Sequence, residues 1–373
     1  MTLHFYVVQA DHGDCFFIKI DGTQDTFTIL IDGGPQSTYK RIKRTLETLQ
    51  VNRLNLVVIT HVDADHIDGV KKLFDNLKAL NLTIDNVWLN AFEAKLLVKP
   101  GTLGLNELRK PRSLKHRLMS ILPFMKSTPS FSIETGISLC DKIDAAILNK
   151  GFEPVDIAKK KWRMVHVPWS MPDGSIKRWD IDPWQLHVIG PTVGNLEGFL
   201  KDWQELDKTP EFANRSSIMI FLENPGEKKR LLLPGDGYAW DIEQGLNLAN
   251  LVKKPITINN PLPVTLLKVP HHGSTANIID RGRYSEFFQK FPADTVIISA
   301  KWLQNQKNPD FETLTHIADA TSARYTSDKR TTRIFATNST PSLKQIVTEK
   351  TPEACHYKLD IMTKGKDFEE IKV

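Results

Sequence analysis

The sequence is poor in cysteine, and the few cysteines it has are badly placed for covalent or metal cross-linking. Cys15, Cys140 and Cys355 lie far apart and form no C-x-x-C pair. A disulfide framework and a thiolate zinc site are therefore not indicated. Such cysteine usage is typical of proteins in a reducing compartment, so we expect a cytoplasmic protein.

Long apolar runs are also lacking. No stretch approaches the ~18 consecutive apolar residues of a membrane helix, and the N-terminus leads directly into a strand-like run, residues 3–8, without the features of an export signal. We expect neither a membrane span nor export. The 373 residues are 40% hydrophobic and 25% charged, a composition that can bury a core and argues against global disorder.

The charge excess is small overall but unevenly distributed. The net charge is +5, whereas residues 91–180 alone contain 16 Lys and Arg against 9 Asp and Glu. A local excess of this kind favours a polyanionic partner, although a basic surface is more often simply a solvated face.

Two stretches of the chain repeat the same order of patterns. Each has a β-rich apolar run that ends at an acidic turn, then a helix-like run, then a second β run that ends at histidine. The first stretch spans residues 26–69 and the second spans 229–274. Alternating strands and helices predict an α/β layered fold, in which loops after strands converge on one edge.

This duplication predicts a four-layer αββα sandwich formed by a single domain, residues 1–345. A long region at about 91–180, with helix-like pieces followed by tryptophan-rich sequence, interrupts the two halves and is interpreted as an insertion. The polar segment 346–373 is expected to be a peripheral C-terminal tail.

The richest cluster of reactive side chains follows the apolar run of the first half. His61, Asp63, Asp65, His66 and Asp68 place two imidazoles and three carboxylates within eight residues. Charged groups at a strand end are costly to desolvate unless they are paired or bind metal, and such N and O donors suit Zn, Mn or Fe. The alternative is a solvated turn in which Asp65 only caps the next helix.

The H-x-D-x-D-H pattern formed by residues 61–66 resembles the metallo-β-lactamase superfamily. Four further elements contribute to the resemblance: Gly13-Asp14, Asp32-Gly33-Gly34, Gly235-Asp236 and His271-His272-Gly273-Ser274. With the N-x-x-S element at 214–217, the set is most similar to the hydrolase module of the bacterial DNA-uptake channel and its stand-alone relatives, some of them linked to antiphage defence. The resemblance implies a metal-dependent hydrolase, and partner proteins of a defence system as an option.

The resemblance also implies a set of ligands for two divalent ions, Zn²⁺ or Mn²⁺. His61 and Asp63 would hold the first ion, Asp65 and His66 the second, and Asp236 would bridge them. Three further residues complete the implied set: His271 would be a ligand of the second ion, His272 would face substrate as a proton donor, and Asp32 would orient the metal-binding loop. Asp65 and His272 are thus the candidate catalytic residues.

Two features depart from the superfamily pattern and weaken the first metal position. Asp63 stands where the commoner motif has histidine, and the isolated histidine of the third motif has no clear counterpart. Asn214 lies near that place, and His187 is a less favoured stand-in because a lone histidine in an apolar strand is usually a packed core residue. A carboxylate in place of imidazole favours Mn²⁺ more than a histidine-rich site would.

Hydrolysis by a metal-activated water is the reaction that the resemblance implies, and a two-metal centre suits phosphodiesters. The insertion favours nucleic acid, because Lys161, Trp162, Arg178 and Trp179 could supply cations for phosphates and faces for bases. Tryptophans in the core of a β-rich insertion would explain the same residues equally well. Ser274 could donate a hydrogen bond to substrate.

We therefore expect a phosphodiesterase, a nuclease acting on DNA. Two alternatives stay open: a small-molecule hydrolase acting on a cyclic nucleotide, ester, lactone or lactam, and a weakly active or inactive regulatory module of a defence complex. Metal content separates the last from an enzyme, because an enzyme should hold about two ions.

Overall fold

The structure is a computed structural model of the chain. It describes residues 2–22, 26–90, 136, 138–140, 142–143, 167, 178–205, 210–279, 286–301, 308–349, 357–362 and 365–373. None of the described helices is long and apolar enough to cross a membrane.

The first half of the chain builds a six-stranded mixed sheet. Its β-branched and aromatic runs form strands because such side chains pack well on a pleated surface. The strand order is β16-β1-β2-β3-β5-β7, antiparallel up to β3 and parallel from there. The bounds are β1 Leu3–Val8, β2 Phe16–Asp21, β3 Thr26–Ile31, β5 Leu56–Ile59, β7 Val87–Leu89 and β16 Phe368–Lys372, with β4 Arg53–Leu54 and β6 Thr83–Ile84 forming a small separate pair.

The second half builds an eight-stranded sheet with the same internal arrangement. Its order is β15-β14-β13-β12-β11-β10-β9-β8, antiparallel from β8 to β11 and parallel from β11 to β15. The bounds are β8 Arg178–Ile181, β9 Trp184–Gly190, β10 Met219–Asn224, β11 Lys229–Leu233, β12 Val264–Lys268, β13 Ala293–Ile298, β14 Thr332–Ala336 and β15 Tyr357–Ile361.

Helices cover the outer face of each sheet. Three hydrophobic clusters divide the core: one under the helices of the first half, one between the two sheets and one under the helices of the second half. The four-layer αββα sandwich predicted from the sequence is therefore confirmed. The helices are α1 Tyr39–Thr48, α2 Ala64–Asp75, α3 Leu77–Leu80, α4 Val193–Glu205, α5 Pro210–Arg215, α6 Ala239–Leu248, α7 Thr275–Ile278, α8 Phe287–Lys290, α9 Phe311–Asp328 and α10 Pro341–Glu349, and Gln36–Thr38 and Pro270–Gly273 are 3₁₀ turns.

The C-terminal residues take part in both sheets. The sequence predicts a peripheral tail after residue 345, and β15 and β16 do lie at the outer edges of their sheets. Each is nevertheless paired along its length, β15 with β14 and β16 with β1. The segment adds hydrogen-bonded structure that its polar composition does not predict. Most of the predicted insertion, including Lys161 and Trp162, lies outside the described residues.

Candidate metal centre

The reactive side chains lie where two strand–helix–strand units end on the same side of the sandwich. In the first half, β3 is followed by Asp32 and β5 by His61. In the second half, β11 is followed by Asp236 and β12 by His271. Because β3 pairs with β5 in parallel, and β11 with β12, each unit brings its two strand ends together.

The first half presents its donors at the start of α2. Asp63 is the residue preceding the helix, yet its side chain makes no capping hydrogen bond. Asp65 and His66 lie in the first turn. A close approach holds this helix against the loop after β3, because a Cβ atom at Gly69 would lie 1.9 Å from the carbonyl oxygen of Gly33. Asp65, which the alternative from the sequence made the helix cap, is not the capping residue, because Asp63 occupies that position.

Asp32 is buried beneath the histidines and fixes one of them. Its carboxylate accepts hydrogen bonds from the backbone N–H and the hydroxyl of Thr60, each at 2.7 Å, and from Nδ1 of His66 at 2.8 Å. With Nδ1 engaged in this way, Nε2 of His66 is directed into the cluster. Asp32 thus lies beneath the motif and contacts the ring of His66.

The second half presents its histidines on a turn of unusual backbone shape. His271 and His272 have φ values of 44° and 54°, both in the left-handed region that residues with a Cβ atom rarely adopt. Strained backbone of this kind is concentrated at functional sites. The turn directs both imidazoles toward Asp236, which follows Gly235 with its φ of 57°.

A single carboxylate oxygen is the centre of the cluster. Oδ2 of Asp236 lies near Nε2 of all four histidines, and Asp236 and three of these histidines are buried. The distances from Oδ2 are 3.8 Å to His61, 3.4 Å to His66, 3.6 Å to His271 and 3.5 Å to His272. These separations are too long for hydrogen bonds, but donor atoms around a shared ion would be spaced in this range.

The two adjacent histidines differ in their surroundings. His272 is buried, and its Nε2 is 3.6 Å from Oδ2 of Asp65. The side chain of His271 is 28% exposed, and Nδ2 of Asn214 lies 3.4 Å from its Nδ1. His272, not His271, belongs to the groups of donor atoms that lie within 4.8 Å of one another. The geometry therefore favours the reverse of the assignment made from the sequence.

The carboxylates and imidazoles strongly perturb one another. Burial, together with the charge of His66, lowers the pKa of His61 to about 4. At His272, burial opposes ionisation, but the carboxylates of Asp236 and Asp14 outweigh it and raise the pKa to about 9. At Asp236, burial is likewise outweighed, and the neighbouring histidine charges hold the pKa well below its ordinary value. The carboxylates around His272 therefore favour a positive charge at that place.

Four potential ligand groups overlap in this space. They are His61–His66–Asp236, Asp65–His66–His272, Asp14–Asp236–His272 and Asp14–Asp32–His66. A family model described as the metallo-beta-lactamase superfamily matches residues 8–112, the part of the chain that carries Asp14, Asp32 and the H-x-D-x-D-H motif. The match supports a relationship between this chain and the metallo-beta-lactamase superfamily.

The solved structures to which the chain is similar are distant in sequence. The chain is 8% identical to the metallo-beta-lactamase fold protein YhfI from Bacillus subtilis, with a TM-score of 0.36 over 97% of this chain and 98% of that one. It is 12% identical to the metallo-beta-lactamase MIM-1 from Novosphingobium pentaromativorans, with a TM-score of 0.31 over 87% and 90%. A new diphosphatase from the PhnP family is 9% identical, with a TM-score of 0.36 over 96% and 94%. No curated protein matches the chain.

The cluster fits the metal centre expected of a metallo-beta-lactamase-like hydrolase. Among the described residues, several buried polar atoms here have no hydrogen-bond partner: Nε2 of His61, Nε2 of His66, both ring nitrogens of His272 and Oδ1 of Asp14. Buried polar atoms usually have partners, so a convergent set of donor atoms without hydrogen bonds fits the binding of a cation. Imidazole nitrogens and carboxylate oxygens are ligands of divalent ions.

The structure separates the remaining sequence candidates. Asn214 is buried beside His271, and Ser274 is half-buried directly after the histidine turn. His187 lies on β9, where its Nε2 is 3.4 Å from Glu223, so it has an ion-pair partner on the neighbouring strand. Lys161 and Trp162 fall outside the described residues.

The structure describes two of the insertion candidates, the tryptophan proposed to stack on bases and the arginine proposed to contact phosphate. Trp179 is half-buried and packs on Trp88 with ring centroids 4.3 Å apart, and Arg178 pairs with Asp180 at 3.0 Å. Trp184 is almost fully buried. This placement favours the packing alternative for these tryptophans.

Sequence reasoning missed one residue of the cluster and gave another no role. Lys268, the last residue of β12, is buried and lies 2.5 Å from Asp14. A lone lysine in an apolar strand directly before two histidines was the available signal, since a buried ammonium requires a charged partner. Asp14 is part of the Gly13-Asp14 element, but its function depends on a contact across 254 residues of chain that no local pattern reveals.

Proposed function

We propose that the chain is a metal-dependent phosphodiesterase, a nuclease acting on DNA. The observation that carries this proposal is the convergence of four imidazole Nε2 atoms on Oδ2 of Asp236 at one edge of the sandwich. Three further observations support it: the charge of the cluster, the difference in exposure between His271 and the buried His272, and the basic stretch of chain between the two halves.

The formal charge of the cluster supports more than one ion. Five aspartates and one lysine leave a net formal charge of −4 when the imidazoles are neutral. An uncompensated buried charge of this size is costly, and two divalent cations would neutralise it. The members are Asp14, Asp32, Asp63, Asp65, Asp236 and Lys268.

The residues of the cluster could hold two metal ions at adjacent positions. His61 and Asp63, whose side chains lie 3.9 Å apart, would hold one ion together with Asp236. Asp65, His66 and His272 would hold the other and share Asp236 with the first. When bound, divalent ions lower the pKa of a coordinated water and stabilise negative charge that develops on a phosphate. Asp63 and Asp65 are about one-fifth exposed, so they form the accessible side of the cluster.

His271 is the residue of the cluster best suited to move a proton. Its side chain is the most exposed of the four histidines and lies beside Asn214. We call this accessible side of the cluster its mouth. When His271 is protonated, Nδ1–H can donate to the side-chain oxygen of Asn214 with the amide turned, and Nε2–H faces the cluster. The Nε2 proton could then be delivered to a leaving oxygen at the mouth, which leaves a neutral imidazole; this is the role expected of His272 from the sequence.

A nucleic-acid substrate is supported by charge rather than by described contacts. The 16 basic and 9 acidic residues of the 91–180 stretch are an excess that phosphates would attract. Near the mouth, Lys301 adds a partly exposed cation, which pairs with Asp11 at 3.2 Å. The small-molecule alternative needs no such excess, so the charge is what discriminates between the two.

The first test is hydrolysis of labelled single- and double-stranded DNA and RNA with Mn²⁺, Mg²⁺ or Zn²⁺, together with metal content by mass spectrometry. The proposal predicts about two ions per chain and metal-dependent cleavage of DNA. A chain that holds metal but cleaves only a small chromogenic phosphodiester or a lactone would be a small-molecule hydrolase. A chain that holds one ion or none and cleaves nothing would fit the regulatory alternative.

The second test removes charge from the insertion. A variant in which five basic residues are changed to glutamine should bind DNA more weakly and with a flatter salt dependence, because each lost phosphate contact removes about one released counterion from the slope. Activity on the small phosphodiester should survive, since that substrate is too small to make the phosphate contacts that the proposal assigns to these residues. The five residues are Lys159, Lys160, Lys161, Lys177 and Arg178.

A matched control has the same change in net charge elsewhere on the surface. It replaces five exposed lysines with glutamine and should keep the affinity and the salt slope of the parent. If the insertion variant and the control variant, each with five substitutions, bind DNA equally well, the insertion is not the nucleic-acid surface. The control positions are Lys40, Lys43, Lys228, Lys253 and Lys254.

A further inference from the structure

Lys268 is a buried cation built into the cluster. It is 1% exposed, and its ammonium group has three acceptors. Nζ lies 2.5 Å from Oδ2 of Asp14, 2.8 Å from the carbonyl oxygen of Gly235 and 3.4 Å from Oδ1 of Asp236. An ammonium group has three protons to donate, so its donors are fully used and its position is fixed.

These contacts divide the two oxygens of Asp236 between different partners. Oδ1 faces Lys268, whereas Oδ2 faces the four histidines. Rotation of the carboxylate would break the contact with the lysine and expose a buried ammonium to a less favourable environment. The backbone is held as well, because Nδ2 of Asn277 donates to the carbonyl oxygen of Asp236 at 3.0 Å.

Asp14 extends the same arrangement to a second member of the cluster. One oxygen of its buried carboxylate pairs with Lys268, and the other lies 3.6 Å from Nδ1 of His272. The pair therefore contacts both Asp236 and His272. A simple stabilising ion pair would not need contacts to two members of the cluster.

We propose that Lys268 is a positioning residue, held by Asp14, which fixes Asp236 so that one oxygen alone is presented to the metal ions. The ammonium group also places a fixed positive charge beside the two metal positions. This charge disfavours metal binding in the two overlapping ligand groups that contain Asp14. This inference rests on the metal centre of the proposed function and is independent of the substrate.

The test uses the double variant Asp14→Asn/Lys268→Met. It removes one negative and one positive charge, so the formal charge of the cluster is unchanged and any loss of metal affinity reports on geometry. The double variant is preferred because Lys268→Met alone would leave the buried carboxylate of Asp14 without its cation, whereas replacement of both partners of a buried pair is often tolerated.

The control removes an ion pair of similar length outside the cluster. Lys290 contacts Glu243 at 3.0 Å, and Glu243→Gln/Lys290→Met deletes this pair with the same charge change. For parent, variant and control, calorimetry gives the dissociation constant of Mn²⁺ and Zn²⁺, mass spectrometry gives the number of ions per chain, and circular dichroism reports whether each protein is folded.

We expect the double variant to be folded and to bind metal about 10- to 100-fold more weakly, as removal of groups that orient ligands typically does. The control should bind like the parent. A folded double variant with the affinity and stoichiometry of the parent would overturn the role of Lys268. If the double variant does not fold, Asp14→Asn alone is measured, and an unchanged metal affinity there would overturn the role in the same way.

The two proposals fail differently. A parent that binds no divalent metal would overturn the metal centre and with it the inference about Lys268. A parent that binds metal but cleaves no nucleic acid would overturn the nuclease and leave this inference standing.

Discussion

The two halves of the sandwich contribute to the same cluster by different means. The first half places its donors in one dense motif at the start of α2, supported from below by the hydrogen bonds of Asp32. The second half uses a turn with two consecutive left-handed residues, His271 and His272, and a buried lysine on the preceding strand. In the first half position along a helix decides which side chains converge, and in the second half backbone conformation decides it.

The largest expected effect comes from the dense motif of the first half. His66→Ala or Asp65→Ala should abolish hydrolysis, because each removes a donor that no neighbouring residue can replace. Metal content should fall in parallel. Asp65→Ala should retain the fold because this side chain is partly exposed, so its circular dichroism should match the parent. His66→Ala also leaves the buried carboxylate of Asp32 without its imidazole partner, so this variant should be folded but less stable. Unchanged hydrolysis in both variants would mean that this half does not carry the site.

In the second half, replacement of His272 and replacement of His271 should have different effects. His272→Ala should lose metal, because its Nε2 lies among the buried donors. His271→Ala should keep metal but lower kcat by about 10²- to 10⁴-fold, the range expected for loss of a proton donor. Metal analysis and steady-state kinetics on the same preparations decide this. If instead His271→Ala loses the metal and His272→Ala keeps it, the original assignment from sequence is right.

Weakening the contact of Asp32 with the motif of the first half should have an intermediate effect. Asp32→Asn keeps the size of the side chain but weakens the hydrogen bond to Nδ1 of His66, so metal affinity should fall about 10- to 100-fold. Thr60→Val removes the hydroxyl that donates to Asp32 and also lies 3.1 Å from Nδ1 of His61, and it should have a smaller effect because Asp32 keeps its contacts with His66 and the backbone of Thr60. Equal affinities in Asp32→Asn and the parent, measured by calorimetry, would show that His66 needs no such support.

The smallest effect concerns the choice of metal. Asp63→His replaces a carboxylate with the softer imidazole found in the commoner motif, so preference should shift from Mn²⁺ toward Zn²⁺. Activity measured across both metals should reveal the shift without loss of total binding. A metal profile identical to that of the parent would mean that Asp63 is not a ligand, and that the first half contributes fewer donors than its motif indicates.

Much of the fold could be predicted because the chain repeats one strand–helix–strand order twice. Apolar runs that end at acidic residues or histidine indicate where β3, β5, β11 and β12 lie along the chain. The donors of the H-x-D-x-D-H motif could be predicted for the same reason, since they are adjacent in sequence and follow a buried strand.

The rest of the site depends on contacts that sequence patterns do not contain. The orientations of His271 and His272 follow from backbone angles in a four-residue turn, and two identical neighbouring side chains cannot be distinguished by residue type. Lys268 and Asp14 meet only after the two sheets have packed. Trp179 could equally stack on bases or pack in a core, and only its contact with Trp88 favours packing.

The pairing of β1 with β16 affects the order in which the molecule can fold. The contact between His4 and Glu370 closes a loop of 366 residues, whereas the pairs of β3 with β5 and of β11 with β12 join strands separated by one helix. Closing long loops costs more chain entropy, and folding is slower where such contacts dominate. The first sheet is therefore expected to gain its outer strand late, and amide hydrogens of β16 should exchange with solvent before those of the inner strands.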